Sequence, residues 1–399
     1  MKKKLLAMML ILCCLAFAAC NDESPISTQR GVLYDDTLAP IAVPVSPDGE
    51  ARIRFVAVGD NIAHDDVVDT ARADAERGEE YDFSKIYAGV EHTIKAADIA
   101  FINQEAPVGG KELGISGYPD FNAPDEMVEE LIEVGFDVFN IANNHMLDKG
   151  EKGYVNTIEY FASLPVTMIG GYTKNDYDNI RIINNQGVRI AFLSYTTLVN
   201  YAHMGDVSQS SDYIIPYADT DDITRQVGIA KQNADVVIVS FHWGTEDEFG
   251  VTAEQSKYAN LCADLGVDVI LGHHPHVVGD VEYITGESGN KTLVAYSLGN
   301  FCSTMMYGRN MVGELLSFDI VKDTDGRISI DNVIVDPIVC HYKRNTKSYD
   351  VRLYFMKDYN SELAEAHGSH VWGDTFTFSQ LKKYVTDTVS TEFLPSYMK

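Results

Sequence analysis

Three histidines lie within four positions at the end of one apolar segment. Residues 268–271 lead through Gly272 into His273, His274 and His276. Neutral imidazole nitrogens are good ligands for zinc, manganese and iron, so this spacing favours a divalent metal site. An isolated His-x-His motif is more often a polar loop that bonds to backbone groups. Four further segments with polar ends distinguish this sequence from that case.

These further segments supply the other side chains that a hydrolytic metal centre needs. Such a centre with two cations needs a bridging carboxylate, further oxygen and imidazole ligands, and an imidazole that protonates a leaving oxygen. The candidate ligands are Asp60, His64, Glu105, Asn144, His242, His274 and His276. His145 follows Asn144 and is the candidate acid that does not bind metal.

The candidate residues have a common position in the predicted elements, because each cluster follows a short apolar run. Between these runs lie helical signals, such as Pro124 before an amphipathic segment that stops at Gly135. Thr252 and Gln255 form a capping box for another helix. Alternating strands and helices predict an α/β fold, in which ligands bind beyond the carboxyl ends of the strands. After about Lys291, strands without helices predict an antiparallel or second sheet that closes the core.

The N-terminus is organised as an export signal. Three lysines and an uncharged run of fifteen residues precede Cys20, and this run is too short to span a bilayer. The ending Phe17-Ala-Ala-Cys20 resembles a bacterial lipobox. We therefore predict a signal peptide at 1–19, lipidation of Cys20, a tether at 20–50, and a membrane location at the outer face of the bacterial cell membrane. Phenylalanine is unusual at the first lipobox position, so cleavage without lipidation is the alternative.

Composition narrows the range of partners. The formal net charge of −28 disfavours nucleic acid and anionic lipid headgroups as partners. After removal of the signal and lipidation of Cys20, the remaining cysteines are Cys262, Cys302 and Cys340. Their number and wide spacing predict buried free thiols rather than a disulfide framework.

The polar clusters, taken in order, resemble a known family. The set is Gly59-Asp60-Asn61-Ile62-Ala63-His64, Asn103-Gln104-Glu105, the segment 142–150 around Asn144-His145, His242-Trp243-Gly244-Thr245-Glu246, Gly272-His273-His274-Pro275-His276-Val277 and Tyr296-Ser297-Leu298-Gly299-Asn300-Phe301. This set resembles the CapA family of capsule and poly-gamma-glutamate synthesis proteins over roughly Arg52 to Phe301. That family is similar in turn to the calcineurin-like metallophosphoesterases.

The resemblance implies a fold, a cofactor and roles for the site residues. The fold would be a four-layer α/β/β/α sandwich at 51–342, with 343–399 as a C-terminal extension packed on it. The cofactor would be one or two divalent ions of manganese, zinc or iron. Asp60 and His276, with His64 as a further candidate, would hold one ion; Asn144, His242 and His274 would hold the other; Glu105 would bridge them; and His145 would be the proton donor or anion stabiliser.

Two departures from the phosphoesterase pattern leave two functions open. His64 lies four positions after Asp60, where the pattern has Asp-x-His, and Glu105 replaces the usual bridging aspartate. His64 is therefore also a candidate for a substrate-facing or structural residue. The first hypothesis is a metal-dependent hydrolase or transferase that acts on a polymer or phosphoester. The second is a non-enzymatic component of a membrane-bound polyglutamate synthesis complex, with a structural or vestigial metal site.

Two residues near the candidate site have simpler predicted roles. Asp148 precedes a helix expected to begin near Glu151, and aspartate is a favoured N-cap residue. Trp243, beside His242, is equally consistent with core packing and with a substrate platform.

Overall fold

The structure is a computed structural model that describes residues 50–200, 211–344 and 349–399. The predicted signal peptide, the lipidation site Cys20 and nearly all of the predicted tether lie outside the described residues.

The first sheet has a parallel centre and an antiparallel edge. Its eight strands within the described residues are, in spatial order, β16 (Tyr349–Phe355), β15 (Ile328–Arg344), β14 (Val312–Lys322), β1 (Ala51–Asn61), β2 (Ile99–Gln104), β3 (Val138–Asn140) and β4 (Thr167–Ile169), with β13 (Asn300–Cys302) paired to the end of β1. Strands β1 to β4 are parallel, whereas β14, β15 and β16 extend the sheet in antiparallel order. The carboxyl ends of β1, β2 and β3 therefore lie at the same edge.

The second sheet brings further parallel strand ends to the site. Its six strands in the described part of the chain are, in spatial order, β11 (Val281–Thr285), β12 (Lys291–Ala295), β10 (Val269–His273), β9 (Val236–His242), β7 (Val188–Thr196) and β6 (Arg181–Asn185). Strands β7, β9, β10 and β12 are parallel. A separate two-stranded ribbon pairs β5 (Tyr172–Thr173) with β8 (Tyr213–Ile214).

The helices begin and end at recognisable signals. They are α1 (Asp65–Asp74), α2 (Ser84–Lys95), α3 (Asp125–Val134), α4 (Gly150–Ala162), α5 (Thr220–Asn233), α6 (Ala253–Asp264), α7 (Ser361–Glu365) and α8 (Phe378–Thr388). The predicted capping box is present at the start of α6, where Thr252 accepts from the backbone of Gln255 and Gln255 bonds back to Thr252. Gly135 ends α3 as the sequence predicted, and it adopts the left-handed conformation.

The two sheets pack face to face between helices. Phe55 of β1 and Phe192 of β7 stack across the interface with ring centroids 6.2 Å apart. The opposite face of the second sheet is covered by α5 and α6, which bury Ile223 and Val227 among others. On the other side, Gly89 lets α2 approach the backbone of β16 closely. The predicted four-layer α/β/β/α sandwich is confirmed.

The C-terminal residues contribute to the same core. The boundary predicted at 342 falls inside β15, and β16 is the edge strand of the first sheet. Leu381 and Val385 of α8 are fully buried in the cluster that contains the first sheet. Among the described residues, we find no helix with both the length and the apolar composition needed to cross a bilayer.

Candidate metal centre

The predicted ligands meet at the carboxyl ends of strands from both sheets. Asp60 lies near the end of β1, and Glu105 follows β2 directly. His242 is the last residue of β9, whereas His274 and His276 lie in the turn after β10. All five side chains are buried. The sandwich therefore brings residues separated by more than 200 positions into one site.

The turn after β10 has an unusual backbone. His274 and His276 have backbone φ angles of 96° and 57°, in a region that residues other than glycine rarely adopt. Such conformations persist only where the surrounding structure holds them, and they are frequent at functional sites. Here they place two imidazoles beside Asp60, whose carboxylate accepts from the backbone N–H of His274 at 3.3 Å.

The ligand atoms form two groups that share one carboxylate. One group contains Asp60, Glu105 and His276, and the other contains Glu105, His242 and His274. In each group the ligand atoms lie within 4.8 Å of one another. Asn144 adjoins the second group, because its Oδ1 lies 2.9 Å from Nε2 of His242. Glu105 is therefore the residue that the two groups have in common.

Glu105 carries the clearest sign that the site fits a cation. Both of its carboxylate oxygens are buried without a hydrogen-bond partner. Its Oε1 lies 3.6 Å from Nε2 of His276 and 3.9 Å from Nε2 of His242. Burial raises the pKa of this carboxyl well above its ordinary value, despite the opposing effect of His276. Because an unpaired buried carboxylate is costly, a divalent cation between these side chains would satisfy it.

Asp60 is held in place by several donors. Asn103 donates to its Oδ1 at 2.7 Å, and Nδ1 of His273 lies 3.3 Å from the same oxygen. Burial opposes ionisation of Asp60, but its bonds to His273 and His276 hold its pKa well below the ordinary value. Asn103 is oriented in turn by Asn140, whose Nδ2 lies 2.7 Å from its Oδ1. Asp60 is therefore an ionised and rigidly placed carboxylate.

The histidines of the site differ in protonation. Burial lowers the pKa of His274 to about 3 and also lowers that of His242, so both imidazoles are neutral as metal binding requires. Nδ1 of His276 lies 3.1 Å from Asp60 and 2.9 Å from Oδ1 of Asn300. These two acceptors require a proton on Nδ1, which leaves Nε2 directed at Glu105. Burial opposes the charged form of His276, but Glu105 and Asp60 raise its pKa to about 10. A cation bound at His276 would therefore displace the proton from Nε2.

His145 lies beside these groups but in neither of them. Its Nδ1 is 2.7 Å from Oδ2 of Asp148, a carboxylate that can only accept, so Nδ1 carries the proton and Nε2 is free to exchange one. Phe121 packs edge-on against the imidazole, with ring centroids 4.7 Å apart. The predicted N-cap role of Asp148 is wrong: Lys149 occupies the cap of α4 without a side-chain cap bond. Asp148 instead bonds to His145 and accepts from the backbone of Phe121 at 2.8 Å.

His64 belongs to neither candidate ligand group, but it lies near enough to them that burial and then the charge of His276 lower its pKa to about 3. The backbone N–H of Thr304 donates to its Nδ1 at 3.3 Å, which places the imidazole proton on Nε2. Its ring contacts Phe121 edge-on, with centroids 5.4 Å apart. The structure therefore brings together six of the seven predicted metal ligands and places His64 between two loops that border the site.

Trp243 is a core residue. Its ring stacks on Phe241 at a centroid distance of 4.4 Å, and its indole N–H donates to the carbonyl of Tyr296 at 2.9 Å. Asn300 and Glu246 lie in two of the sequence motifs but have no predicted role. Oδ1 of Asn300 lies 2.9 Å from Nδ1 of His276, and a carboxylate oxygen of Glu246 lies within 4.8 Å of ligand nitrogens of His274 and His276. Their signal in the sequence was only their position within those motifs.

This combination of fold and site defines a class. A two-sheet α/β sandwich with a cluster of histidine, carboxylate and amide side chains at its strand ends is metallophosphoesterase-like. The family model of the bacterial capsule synthesis protein PGA_cap matches residues 54–305, and the chain belongs to this family.

Individual relatives agree with that assignment. The chain is 30% identical to the PGA biosynthesis protein CapA of Bacillus subtilis over 255 residues, which are 61% of this chain and 63% of the relative. It is also 30% identical to the capsule biosynthesis protein CapA of Bacillus anthracis over 251 residues, which are 60% and 59% of the two chains. The chain thus spans about three fifths of the length of these relatives. Among solved structures, it is similar to a calcineurin-like phosphoesterase from Bacillus subtilis, with 11% identity, a TM-score of 0.39, and coverage of 85% of this chain and 96% of that chain.

Proposed function

We propose that this protein is an exported, lipid-anchored and metal-dependent hydrolase or transferase of the phosphoesterase type. Its substrate would be an anionic polymer or a phosphoester handled during capsule or poly-gamma-glutamate synthesis. The main supporting observation is Glu105, a buried carboxylate without a hydrogen-bond partner between two groups of imidazoles. The similarity to the Bacillus proteins named for PGA and capsule biosynthesis supports the polymer context.

The side chains divide into ligands and a proton donor. Asp60, Glu105 and His276 would hold one ion, and Glu105, Asn144, His242 and His274 would hold the other. Bound cations of this kind stabilise negative charge that develops on the substrate. His145, oriented by Asp148, would donate a proton to the leaving oxygen. Asp148 therefore has a positioning role in this proposal.

Two features of the site favour a second candidate function. His64 lies outside the ligand groups, and the shared carboxylate is a glutamate, so the site departs from the hydrolytic pattern at two positions. The alternative is a non-enzymatic component of a membrane-bound polyglutamate synthesis complex, in which the metal site is structural or vestigial.

Metal content and turnover measured on the same protein distinguish these functions. We expect purified protein to contain manganese, zinc or iron and to hydrolyse at least one phosphomonoester, phosphodiester or polyglutamate substrate. The double variant His274→Ala/His276→Ala should lose most bound metal and all turnover while remaining folded. His92→Ala, which changes an exposed histidine of α2, is the matched control and should retain both. Full metal with no turnover on any substrate class would favour the non-enzymatic function with a structural site. No metal at all would reject the enzyme and leave only the non-enzymatic function with a vestigial site.

The proposed location has its own test in cells. The Cys20→Ser variant should appear in the soluble exported fraction or accumulate uncleaved, because it cannot be lipidated. Normal processing and unchanged membrane partitioning of this variant would contradict the anchor.

A further inference from the structure

Glu246 is an exposed carboxylate that lies at the mouth of the candidate metal centre. A carboxylate oxygen of Glu246 and ligand nitrogens of His274 and His276 lie within 4.8 Å of one another. His276 belongs to one of the groups described above and His274 to the other. Glu246 is therefore the only exposed member of the candidate ligand groups among the described residues.

The turn that carries Glu246 is attached to the histidine segment. The backbone N–H of Asp247 donates to the carbonyl of Pro275 at 2.9 Å, and Pro275 separates His274 from His276. Asp247 has a φ angle of 66°, an uncommon conformation for a residue other than glycine. This backbone bond fixes the distance between the two segments, so the approach of Glu246 does not depend on side-chain rotation alone.

Side-chain contacts hold the same turn from the other side. Asn310 donates to Oδ1 of Asp247 at 2.6 Å and also to the carbonyl of His276 at 3.2 Å. Arg309 donates to Oδ1 of Asp247 at 3.2 Å. Asn310 therefore connects Asp247, the residue after Glu246, with the backbone of the candidate ligand His276.

The donor set leaves room for one more ligand. Glu246 lies near His276, which the first group shares only with Asp60 and Glu105, whereas manganese, zinc and iron accept four to six ligands. His64 does not join this group, and its Nδ1 is engaged by the backbone of Thr304. Glu246 has no hydrogen bond or ion pair with any described residue, so its carboxylate is available on the solvent side.

We propose that Glu246 is a metal ligand, which supplies a carboxylate from the exposed side of the site. The inference rests on the proposed metal-dependent function and extends it by one residue. It gives the centre an inner carboxylate fixed by the fold and an outer one on a turn. The outer ligand can be removed without disturbing the core.

Metal binding to the apoprotein tests this assignment without measuring activity. Glu246→Gln keeps the size of the side chain and removes its charge, and Glu248→Gln makes the same change on an exposed acid two residues along the same turn. Competition with a chromogenic chelator should show zinc affinity lowered by about 10-fold or more in Glu246→Gln and within about 2-fold of wild type in Glu248→Gln. The visible absorption of cobalt-loaded protein should change in the first variant only, because it reports the ligands themselves.

Each other result overturns the assignment. Unchanged affinity and cobalt spectrum in Glu246→Gln would exclude Glu246 as a ligand. Equal losses in both variants would show a long-range charge effect. Lower turnover with unchanged metal binding would place Glu246 on the substrate. If wild type binds metal and turns over substrate in any of these cases, the proposed function stands and only the Glu246 inference fails.

Discussion

The pair formed by His145 and Asp148 allows a quantitative test of the enzymatic function. Asp148→Asn replaces the carboxylate that fixes the proton of His145 on Nδ1, where the two atoms now lie 2.7 Å apart. Oδ2 of Asp148 accepts from the backbone N–H of Phe121 as well as from His145, so an asparagine oxygen in this position keeps only uncharged forms of both bonds. If the side chain turns over, its amide group takes this position, loses the bond from Phe121 and donates to Nδ1, which favours the tautomer with the proton on Nε2. The variant therefore retains the imidazole but loses the fixed orientation of its proton.

The size of the effect follows from the bond that is removed. A hydrogen bond to a charged group contributes about 1.5–3 kcal/mol. Because each 1.4 kcal/mol corresponds to a factor of about ten, kcat should fall by about 10- to 150-fold. His145→Asn removes the proton donor itself, so its loss should be larger, about 100-fold or more. Neither variant changes a candidate metal ligand, so metal content should stay at the wild-type level in both.

A double-mutant cycle separates this mechanism from general damage. If Asp148 acts through His145, then adding Asp148→Asn to His145→Asn should lower kcat by less than about 2-fold further. The assay is steady-state kinetics on the substrate identified by the phosphoester and polyglutamate screen, with metal content measured on each sample. Additive losses in the double variant would refute the positioning role of Asp148. A His145→Asn enzyme with wild-type kcat would refute the catalytic role of His145 altogether.

Two further predictions concern residues outside the ligand groups. His64→Ala should retain wild-type metal content by elemental analysis, because His64 contacts Thr304 and Phe121 rather than the candidate ligand groups; loss of one equivalent would contradict this. Burial raises the pKa of Glu314 well above its ordinary value of 4.5, and its carboxylate oxygens have no hydrogen-bond partner among the described residues. The folded protein therefore holds a proton on Glu314 that the unfolded chain releases above pH 4.5. The free energy of unfolding should therefore fall as pH rises from 5 to 8, and the unfolding temperature of Glu314→Gln should fall less than that of wild type over this range. Parallel plots of unfolding temperature against pH would contradict this prediction.

The sequence predicted the centre of the fold well because the relevant signals are local. A short apolar run that ends in polar residues indicates a strand and its carboxyl end without knowledge of any partner strand. Five such runs correspond to β1, β2, β3, β9 and β10. The edge strands could not be placed in this way, because the addition of β14, β15 and β16 to the first sheet depends on pairing between distant segments.

Local rules failed where a tertiary contact competed with them. Asp148 satisfies the sequence preference for a helix cap, but His145 and the backbone of Phe121 supply stronger partners in the folded chain. For Glu246 the local sequence predicted no role, since an exposed glutamate in a polar turn has no distinctive signal. Only the bond from Asp247 to Pro275, between segments nearly thirty residues apart, shows why its carboxylate lies near two imidazoles.

The charge of the site connects the metal stoichiometry with the chemistry of the substrate. Asp60, Glu105 and Glu246 would contribute three negative charges to a centre whose bound histidines are neutral. One divalent ion would leave the centre with a net negative charge, which would repel a phosphate or a polyglutamate carboxylate, and the acidic surface of the chain would add to that repulsion. A second divalent ion would reverse the sign of the centre and attract the same groups. An anionic substrate therefore requires both positions to be filled. Turnover in a metal titration of the apoprotein should rise mainly with the second equivalent. Full turnover at one equivalent would show that a single ion is sufficient.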